Sequence, residues 1–458
     1  MRTFQETMEP LLGHTAGLPT QSVTTKYRQK ITQNITDELH SPAFRKAAKK
    51  DPLAQHRDRK LTLANLICII VTFKTAIQRE LDTFFKALSN SEFNIRQVTK
   101  GAFSQARAKL NPWAFQRLNQ IATDTFYAEA EYHTWQGFRL LAVDGTRLVL
   151  PNHPTIIDHF GQHQFGPNAD SPKSLALASV LYDVLNLISI DGQIDRYDSD
   201  ERTLLLQHMD KLKKGDLLLL DRGYPCFWLL FLLQAKGIAF CVRLKENWWT
   251  QVNSFTKSDL QEQLVWFDLP KKDLDKLAEY PLYQHRRIQC RLVKVVLETG
   301  ETEVLCTSLL DSNAYPVAVF GPLYHYRWQE EEAYKLFKCR AEVENFSGKT
   351  ALAIQQDFFA KLFLMTLCAA YAHPIEARVR QEYQVDAERQ FAQQINRTHA
   401  LSVTQHLVIG VFLKNQFKKA IAAFDTLVFQ TRELIRPHRK EPRKHKPKKQ
   451  YHMAYKRL

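Results

Sequence analysis

Two apolar runs in the middle of the chain each end on an aspartate. Residues 140–143 lead into Asp144, and the four leucines at 217–220 lead into Asp221. A short apolar run bounded by turn residues is typical of a strand that is buried on both faces. Because open α/β sheets bind ligands beyond the carboxyl ends of their strands, both carboxylates are predicted to face a ligand crevice. Strand-end aspartates also cap turns, so both interpretations stay open.

The pattern around these runs alternates between strands and helices. Three closely connected strands come first and predict an antiparallel meander, and then helix, strand, helix and strand follow. The order βββαβαβ predicts an α/β fold with a mixed sheet of the ribonuclease H type, which does not by itself establish a function. The segments are 139–150, 174–190, 192–199, 201–212, 216–221, 225–237 and 238–244.

A polar stripe marks the segment 324–349, which contains no proline and is predicted to form one long helix. At about 100° per residue, Glu331 lies within the stripe, whereas Glu330 and Glu332 point about 100° to either side. Helical phase therefore selects the middle glutamate of the triplet. Such stripes are commonly solvated faces with ion pairs, and this alternative stays open. The stripe consists of Tyr324, Arg327, Glu331 and Lys338.

Three carboxylates delivered by two strands and one helix form a candidate metal site. Asp144, Asp221 and Glu331 would supply carboxylate oxygens, which are the ligands that Mg²⁺ selects. Asp158 and Asp183 compete as ligands, but Asp183 falls inside a predicted strand.

Strand patterns between residues 245 and 310 predict a β-rich insertion with a hairpin turn at Thr299 and Gly300. Trp248, Trp249 and Trp266 are candidates for stacking on an unpaired base. The position of Trp266 on a strand favours packing in the core of the insertion. The pattern does not identify which tryptophan stacks.

Helical patterns flank this central part. Residues 1–130 are predicted to be helical, and Thr99 can cap a helix in which Lys100 and Arg107 offer donors to DNA. A structural role for the same helix fits equally well. Residues 361–434 are predicted to be helical, with one apolar helix ending at Pro374, and residues 435–458 form a basic tail that attracts phosphates.

Composition narrows the class of protein. The net charge of +15 favours polyanionic partners, and the hydrophobic content of 45% indicates a globular protein. Seven cysteines without a CxxC motif predict neither a zinc site nor a disulfide framework, which fits a reducing cytosol. The longest apolar runs fall short of a membrane span, so we expect no membrane association.

The combined motifs resemble insertion-sequence DDE transposases of the YREK subgroup, in the insertion-sequence-four-like family. The resemblance rests on the three acids, on DRGY at 221–224, and on the spacing Y-x2-R-x3-E-x6-K from Tyr324 to Lys338. It covers about residues 95–360. The resemblance implies a DNA-end recognition role for the amino-terminal region and a β insertion that helps to handle the cleaved end.

The resemblance also implies an activity. A DNA transposase of this kind binds the ends of its element, cleaves them and joins the 3′-OH ends to target DNA, using two Mg²⁺ ions for which Mn²⁺ substitutes. Asp144 would bridge the ions, while Asp221 and Glu331 would each complete one. The implied partners are terminal repeats and target DNA, bound by a homodimer in the bacterial cytoplasm at the nucleoid. An inactive DNA-binding derivative and a metal-dependent endonuclease without strand transfer stay open as alternatives.

The positions of side chains on the predicted helix also indicate which residues contact phosphates. Tyr324, Arg327 and Lys338 share the stripe with Glu331 and are predicted to hold phosphates near the metal ions. Arg222, directly after Asp221, is a weaker candidate for the same role.

Overall fold

The computed structural model describes residues 21–51, 59–74, 76–164, 172–245, 249–277, 286–297 and 300–436. Within these residues a large mixed sheet lies at the centre, and helices from both ends of the chain pack against it. The predicted α/β class with helical flanks is confirmed.

The helices and strands of the described residues are numbered in chain order. The helices are α1 (Gln21–His40), α2 (Pro42–Ala47), α3 (Leu63–Thr72), α4 (Ile77–Ser89), α5 (Lys100–Arg107), α6 (Trp113–Glu129), α7 (Pro154–Phe160), α8 (Glu201–Gln207), α9 (Phe227–Ala235), α10 (Thr250–Lys257), α11 (Phe320–His325), α12 (Trp328–Cys339), α13 (Ala351–Glu382), α14 (Arg397–Phe412) and α15 (Phe417–Gln430). The strands are β1 (Arg139–Val149), β2 (Gln162–His163), β3 (Lys173–Asp183), β4 (Ile188–Arg196), β5 (Asp216–Leu220), β6 (Ala239–Arg243), β7 (Glu262–Asp268), β8 (Arg287–Val296), β9 (Thr302–Thr307), β10 (Gln393–Ile395) and β11 (Arg432–Leu434).

Nine of the described strands form one sheet, in the order β2-β3-β1-β5-β6-β9-β8-β7 with β4 paired to β3. The predicted antiparallel meander is present as β1, β3 and β4, although residues 188–190 belong to β4 and not to the strand before it. β1, β5 and β6 are parallel, and Val143 lies opposite Leu220. Asp144 and Asp221 therefore follow directly after paired residues of neighbouring strands.

The predicted β-rich insertion does not interrupt this sheet. β9 pairs antiparallel with β6, β8 pairs with β9, and β7 pairs with β8. The insertion thus extends the central sheet, because β9 supplies hydrogen-bond partners to the edge of β6 that does not face β5. Gly300 adopts φ 85° beside the β8–β9 turn, as a hairpin requires, and Thr299 lies outside the described residues.

The predicted long helix at 324–349 is wrong, because two helices replace it. Between α11 and α12 the N–H groups of Tyr326 and Arg327 donate to carbonyl groups three residues back, which is tighter than an α-helix. α12 ends at Cys339, and Glu342 has φ 50°, which a right-handed helix does not accommodate. Neither break carries a proline or glycine, so no residue type in the sequence signals it.

α13 is a core helix of 32 residues. By length and composition it could cross a membrane. However, 83% of its most apolar 18-residue stretch is buried inside the protein, where the helix packs on α6 and β4. The predicted end at Pro374 is wrong, because the helix continues to Glu382. Packing on both sides of the proline outweighs the one lost backbone hydrogen bond.

The predicted cap of α5 is present, since the Thr99 side chain accepts from the N–H of Ala102. Phe103 and Leu110 are buried, as expected for the structural face of this helix. Residues 1–20 and most of the basic tail, from 437 to 458, lie outside the described residues.

Candidate active site

Two of the predicted acids meet at the guanidinium group of Arg327, in the break between α11 and α12. Its Nη1 lies 3.9 Å from Oδ2 of Asp144, and its Nη2 donates to Oε1 of Glu331 at 3.2 Å. The arginine side chain is only 5% exposed. Strand β1 and helix α12 are therefore joined through one buried cation.

Asp221 lies beside the same group of side chains. The Tyr324 hydroxyl donates to the carbonyl oxygen of Leu220 at 3.2 Å and lies 3.5 Å from Oδ1 of Asp221. Arg243 places its Nε 3.5 Å from the same carboxylate oxygen. Sequence reasoning missed Arg243, although its position at the carboxyl end of β6, next to β5, is a signal that could have identified it. We call Asp144, Asp221 and Glu331 the acid cluster.

The pKa of the Asp144 carboxyl group differs from its ordinary value. Burial raises the pKa of its carboxyl group to about 6, even though the Gly145 N–H and Arg327 act in the opposite direction. The negative charges of Glu201 and Asp221 raise this pKa further. Burial is thus the largest reason why the Asp144 carboxyl binds its proton more tightly than usual, and the neighbouring acids add to it.

Glu201 is an additional acid that sequence reasoning missed. A Cβ atom at Gly145 would lie 2.4 Å from its Oε1, and a Cβ at Gly223 would lie 3.5 Å from its Oε2. The carboxylate thus fills the space between the glycines that follow or nearly follow the two aspartates. At the start of α8 it looked like an ordinary first-turn acid, so no sequence signal distinguished it.

Glu330 and Tyr334 contact the backbone of Asp144 from α12. The Asp144 N–H donates to Oε1 of Glu330 at 2.8 Å, and the Tyr334 hydroxyl donates to the Asp144 carbonyl at 2.7 Å. Helical phase had turned Glu330 away from the acid cluster, and its side chain indeed reaches the main chain of Asp144 instead of the carboxylates.

The predicted phosphate contacts divide into exposed and buried residues. Arg222 and Lys100 are exposed, and Nζ of Lys338 donates to the carbonyl of Arg147 at 2.7 Å near the surface. Arg107 was predicted to contact DNA, but the structure assigns it another role. Its guanidinium is 5% exposed and donates to Gln356, Ser347 and Asp357, so it joins α5 to α13.

The candidate tryptophans for base stacking differ in how exposed they are. Trp249 is 8% exposed and stacks on Phe227 at 4.3 Å, so it belongs to the core and the prediction is corrected. Trp266 is 46% exposed, with the Arg287 guanidinium 5.2 Å from its ring centre. The expectation that it packs in a core is therefore wrong. Trp248 lies outside the described residues.

Two other acids were predicted to compete as metal ligands, and the structure describes both. Asp183 is fully buried and accepts from Tyr127, Leu185 and Asn186, so it is not a ligand. Asp158 is exposed on α7. No three His, Cys, Asp or Glu side chains of the described residues are grouped closely enough to hold an ion. Asp144 and Glu331 are joined through Arg327, and Asp221 has its nearest cation in Arg243.

Comparison with known proteins gives the family. Residues 135–367, half of the chain, match the family described as the transposase DDE domain. The chain belongs to this DDE transposase family. The matched region contains β1 to β9, α12 and the whole acid cluster.

One curated relative of this transposase family member is the transposase InsG for insertion sequence element IS4 of Escherichia coli strain K12. It is 23% identical over 247 residues, which are 53% of this chain and 53% of the relative. The match therefore spans about half the length of the relative. The cryo-EM structure of the piggyBac transposase synaptic complex with hairpin DNA is similar over 88% of this chain and 84% of that one, with 11% identity and a TM-score of 0.40.

Proposed function

We propose that the chain is a DNA transposase that cleaves the ends of its insertion element and joins the 3′-OH ends to target DNA. The observation that carries the proposal is the convergence of two strands and α12 on the acid cluster, inside the region that matches the family. The order of strands and helices supports a core of the ribonuclease H type. InsG, named as a transposase for an insertion sequence, supports the same activity.

The three acids are not grouped closely around one point in the described residues, but the chemistry of their side chains fits a divalent cation. Its ligands are carboxylate oxygens, which Mg²⁺ and Mn²⁺ prefer. The side chains of Asp144, Asp221 and Glu331 are 26%, 33% and 35% exposed, so an ion can reach them from solvent. The raised pKa of Asp144 is a further reason for added positive charge to be favourable. When bound, a pair of Mg²⁺ ions would activate the attacking oxygen and stabilise the leaving oxygen of a phosphodiester.

The residues around the cluster would orient it and hold the DNA backbone. Arg327 is buried between Asp144 and Glu331, so it would hold the acids and would not contact a phosphate directly, contrary to the prediction. Tyr324 is 4% exposed and holds the strand end at Leu220 in the same way. Arg222, directly after Asp221, is exposed, and Lys338 is half-buried near the surface with its Nζ on the Arg147 carbonyl; both would bind phosphates.

The DNA partner follows from charge as well as from the site. The net charge of +15 supports a polyanionic partner, and Lys100 is an exposed cation at the start of α5. We propose that terminal repeats and target DNA are the substrates. Two subunits would act on two paired ends.

A cleavage assay tests the proposed function. Purified protein is incubated with Mg²⁺ and a labelled duplex made from the DNA that flanks its own gene, together with a plasmid target. We expect nicked ends and then joined products. Asp221→Ala should abolish nicking, because it removes one ligand, while the affinity for the duplex stays within a few fold of wild type.

The other outcomes of this assay decide between the alternatives. Binding without nicking by the wild-type protein would support an inactive DNA-binding derivative. Nicking without joining would support an endonuclease. A parallel loss of binding and nicking in Asp221→Ala would contradict the ligand role of Asp221.

A further inference from the structure

Glu330 and Tyr334 form a buried pair on one face of α12. They are four residues apart, so their side chains lie one turn above the other. Glu330 is 1% exposed and Tyr334 is 9% exposed. Neither belongs to the acid cluster, and the proposed chemistry does not use their side chains. A buried carboxyl group is costly unless it is bonded, so its presence calls for a physical reason.

The pair binds both backbone polar groups of Asp144. Glu330 Oε1 accepts the Asp144 N–H at 2.8 Å, and the Tyr334 hydroxyl donates to the Asp144 carbonyl at 2.7 Å. The same hydroxyl accepts the N–H of Val180 at 3.1 Å. Since Asp144 lies opposite Val180 in the register of β1 and β3, one helical hydroxyl bridges the two strands at the position of the aspartate.

These bonds connect two members of the acid cluster through the backbone. Glu331 follows Glu330 directly on α12, and Asp144 is the residue that the pair holds on β1. The distance between the two carboxylates therefore depends on bonds between Asp144 and the neighbours of Glu331. Arg327 adds a longer connection, at 3.9 Å to Asp144 and 3.2 Å to Glu331.

We propose that Glu330 and Tyr334 are positioning residues that fix the Asp144 carboxylate relative to Glu331 for metal binding. The inference rests on the proposed function, because it concerns the same metal site. Bonds that orient metal ligands affect affinity strongly, and their removal typically costs about 10–100-fold. The pair contributes through the main chain of Asp144, so it needs no contact with the ion.

The first test compares two tyrosine hydroxyls with different neighbours. In Tyr334→Phe the bridge between Asp144 and Val180 is lost. The matched control is Tyr27→Phe, which removes a buried hydroxyl that donates to the carbonyl of Ala370, also at 2.7 Å, away from the acid cluster. Mn²⁺ binding to the full chain is measured by electron paramagnetic resonance, and thermal unfolding is measured in parallel. We expect Tyr334→Phe to weaken Mn²⁺ binding about 10-fold or more, and Tyr27→Phe to leave it unchanged at a similar loss of melting temperature.

A second pair of variants keeps the proposal testable if Tyr334→Phe does not fold. Glu330→Gln retains a side-chain oxygen that accepts the Asp144 N–H, so it should bind Mn²⁺ almost as wild type does. Glu330→Leu fills the same buried space without an acceptor. It should lose about 10-fold in Mn²⁺ affinity without a matching loss of melting temperature, because an apolar residue suits the buried position.

The outcomes separate this inference from the proposed function. Equal Mn²⁺ affinity in wild type, Tyr334→Phe and Glu330→Leu would overturn the positioning role. Affinities that simply follow the melting temperatures of all variants, including Tyr27→Phe, would overturn it as well. A wild-type chain that binds no Mn²⁺ would instead contradict the metal-dependent function.

Discussion

The two ends of the strand pair β1–β5 hold acids in opposite ways. At the amino end Arg139 lies opposite Asp216, and its guanidinium donates to both carboxylate oxygens at 2.8 and 2.7 Å. The N–H of Lys213 donates to the same carboxylate at 2.7 Å. At the carboxyl end, Asp221 has its nearest cation at 3.5 Å and Asp144 at 3.9 Å.

The difference separates structure from function within one pair of strands. The Arg139–Asp216 pair is buried, with 9% and 3% of the side chains exposed, and its short bonds replace the lost solvent. The acids at the other end are partly exposed and have only long contacts to cations, which is what the proposed binding of a metal ion requires. We call the amino end of the strand pair, where the Asp216 carboxylate is fully hydrogen-bonded, the closed end. The carboxyl end, where the acid cluster has only long contacts to cations, is the open end.

The largest expected stability effect is at the closed end. Asp216→Ala leaves Arg139 buried without its partner, and we expect the free energy of unfolding to fall by about 3–5 kcal/mol. Asp221→Ala should change the free energy of unfolding by about 1 kcal/mol or less, because its contacts are long and partly exposed. Urea denaturation of both variants measures the difference. Comparable losses in the two would remove the distinction between the two ends.

The closed end also shows how far sequence reasoning could reach. The apolar runs predicted both strands, and the parallel register then brought Asp144 and Asp221 together as expected. Nothing in the sequence paired Arg139 with Asp216, because this contact depends on the register of two strands that are distant along the chain. Local patterns predict elements, whereas partners across the sheet follow only from their pairing.

The acid from α12 was predicted with the wrong local structure. One continuous helix was expected, yet the tight turn at Tyr326 and Arg327 separates Tyr324 from the rest of the stripe. Arg327 and Glu331 are still about one helical turn apart, so their side chains contact each other although the predicted helix is interrupted. Glu201 was missed because its neighbours in the fold are far away in sequence, whereas Arg243 was missed although its position at the end of β6 was a usable signal.

Two tyrosines offer a smaller and more selective comparison of the two ends. Tyr127 donates to the buried Asp183 carboxylate at 2.7 Å near Arg139, whereas Tyr324 donates to the Leu220 carbonyl at 3.2 Å. Tyr127→Phe removes a bond to a carboxylate and should cost about 1.5–3 kcal/mol, and Tyr324→Phe should cost about 0.5–1.5 kcal/mol. Denaturation curves measure both losses.

The effects of the tyrosine variants on activity should be reversed. Because only Tyr324 lies beside Asp221, DNA nicking should fall in Tyr324→Phe and stay at the wild-type rate in Tyr127→Phe. Single-turnover nicking rates at saturating Mg²⁺ provide the measurement. A slower rate in Tyr127→Phe would show that the closed end is coupled to the chemistry after all.

The smallest effects distinguish the two glycines beside these acids. Gly215 precedes Asp216 and has φ 94°, with no atom within 4 Å of an added Cβ, so an alanine there is strained by its backbone alone. Gly145 is a strand residue, and an added Cβ would meet the Glu201 carboxylate. Because the added Cβ would also lie 2.8 Å from Cδ and Cγ of Glu201, the whole side chain must shift, and we expect Gly145→Ala to cost about 1–2 kcal/mol, within the usual range for overpacking. Glu201→Ala in the same chain should remove this cost and leave the cost of Gly215→Ala unchanged. Double-mutant cycles from urea denaturation measure both couplings, and a zero coupling between Gly145 and Glu201 would mean that the carboxylate does not occupy the space beside Asp144.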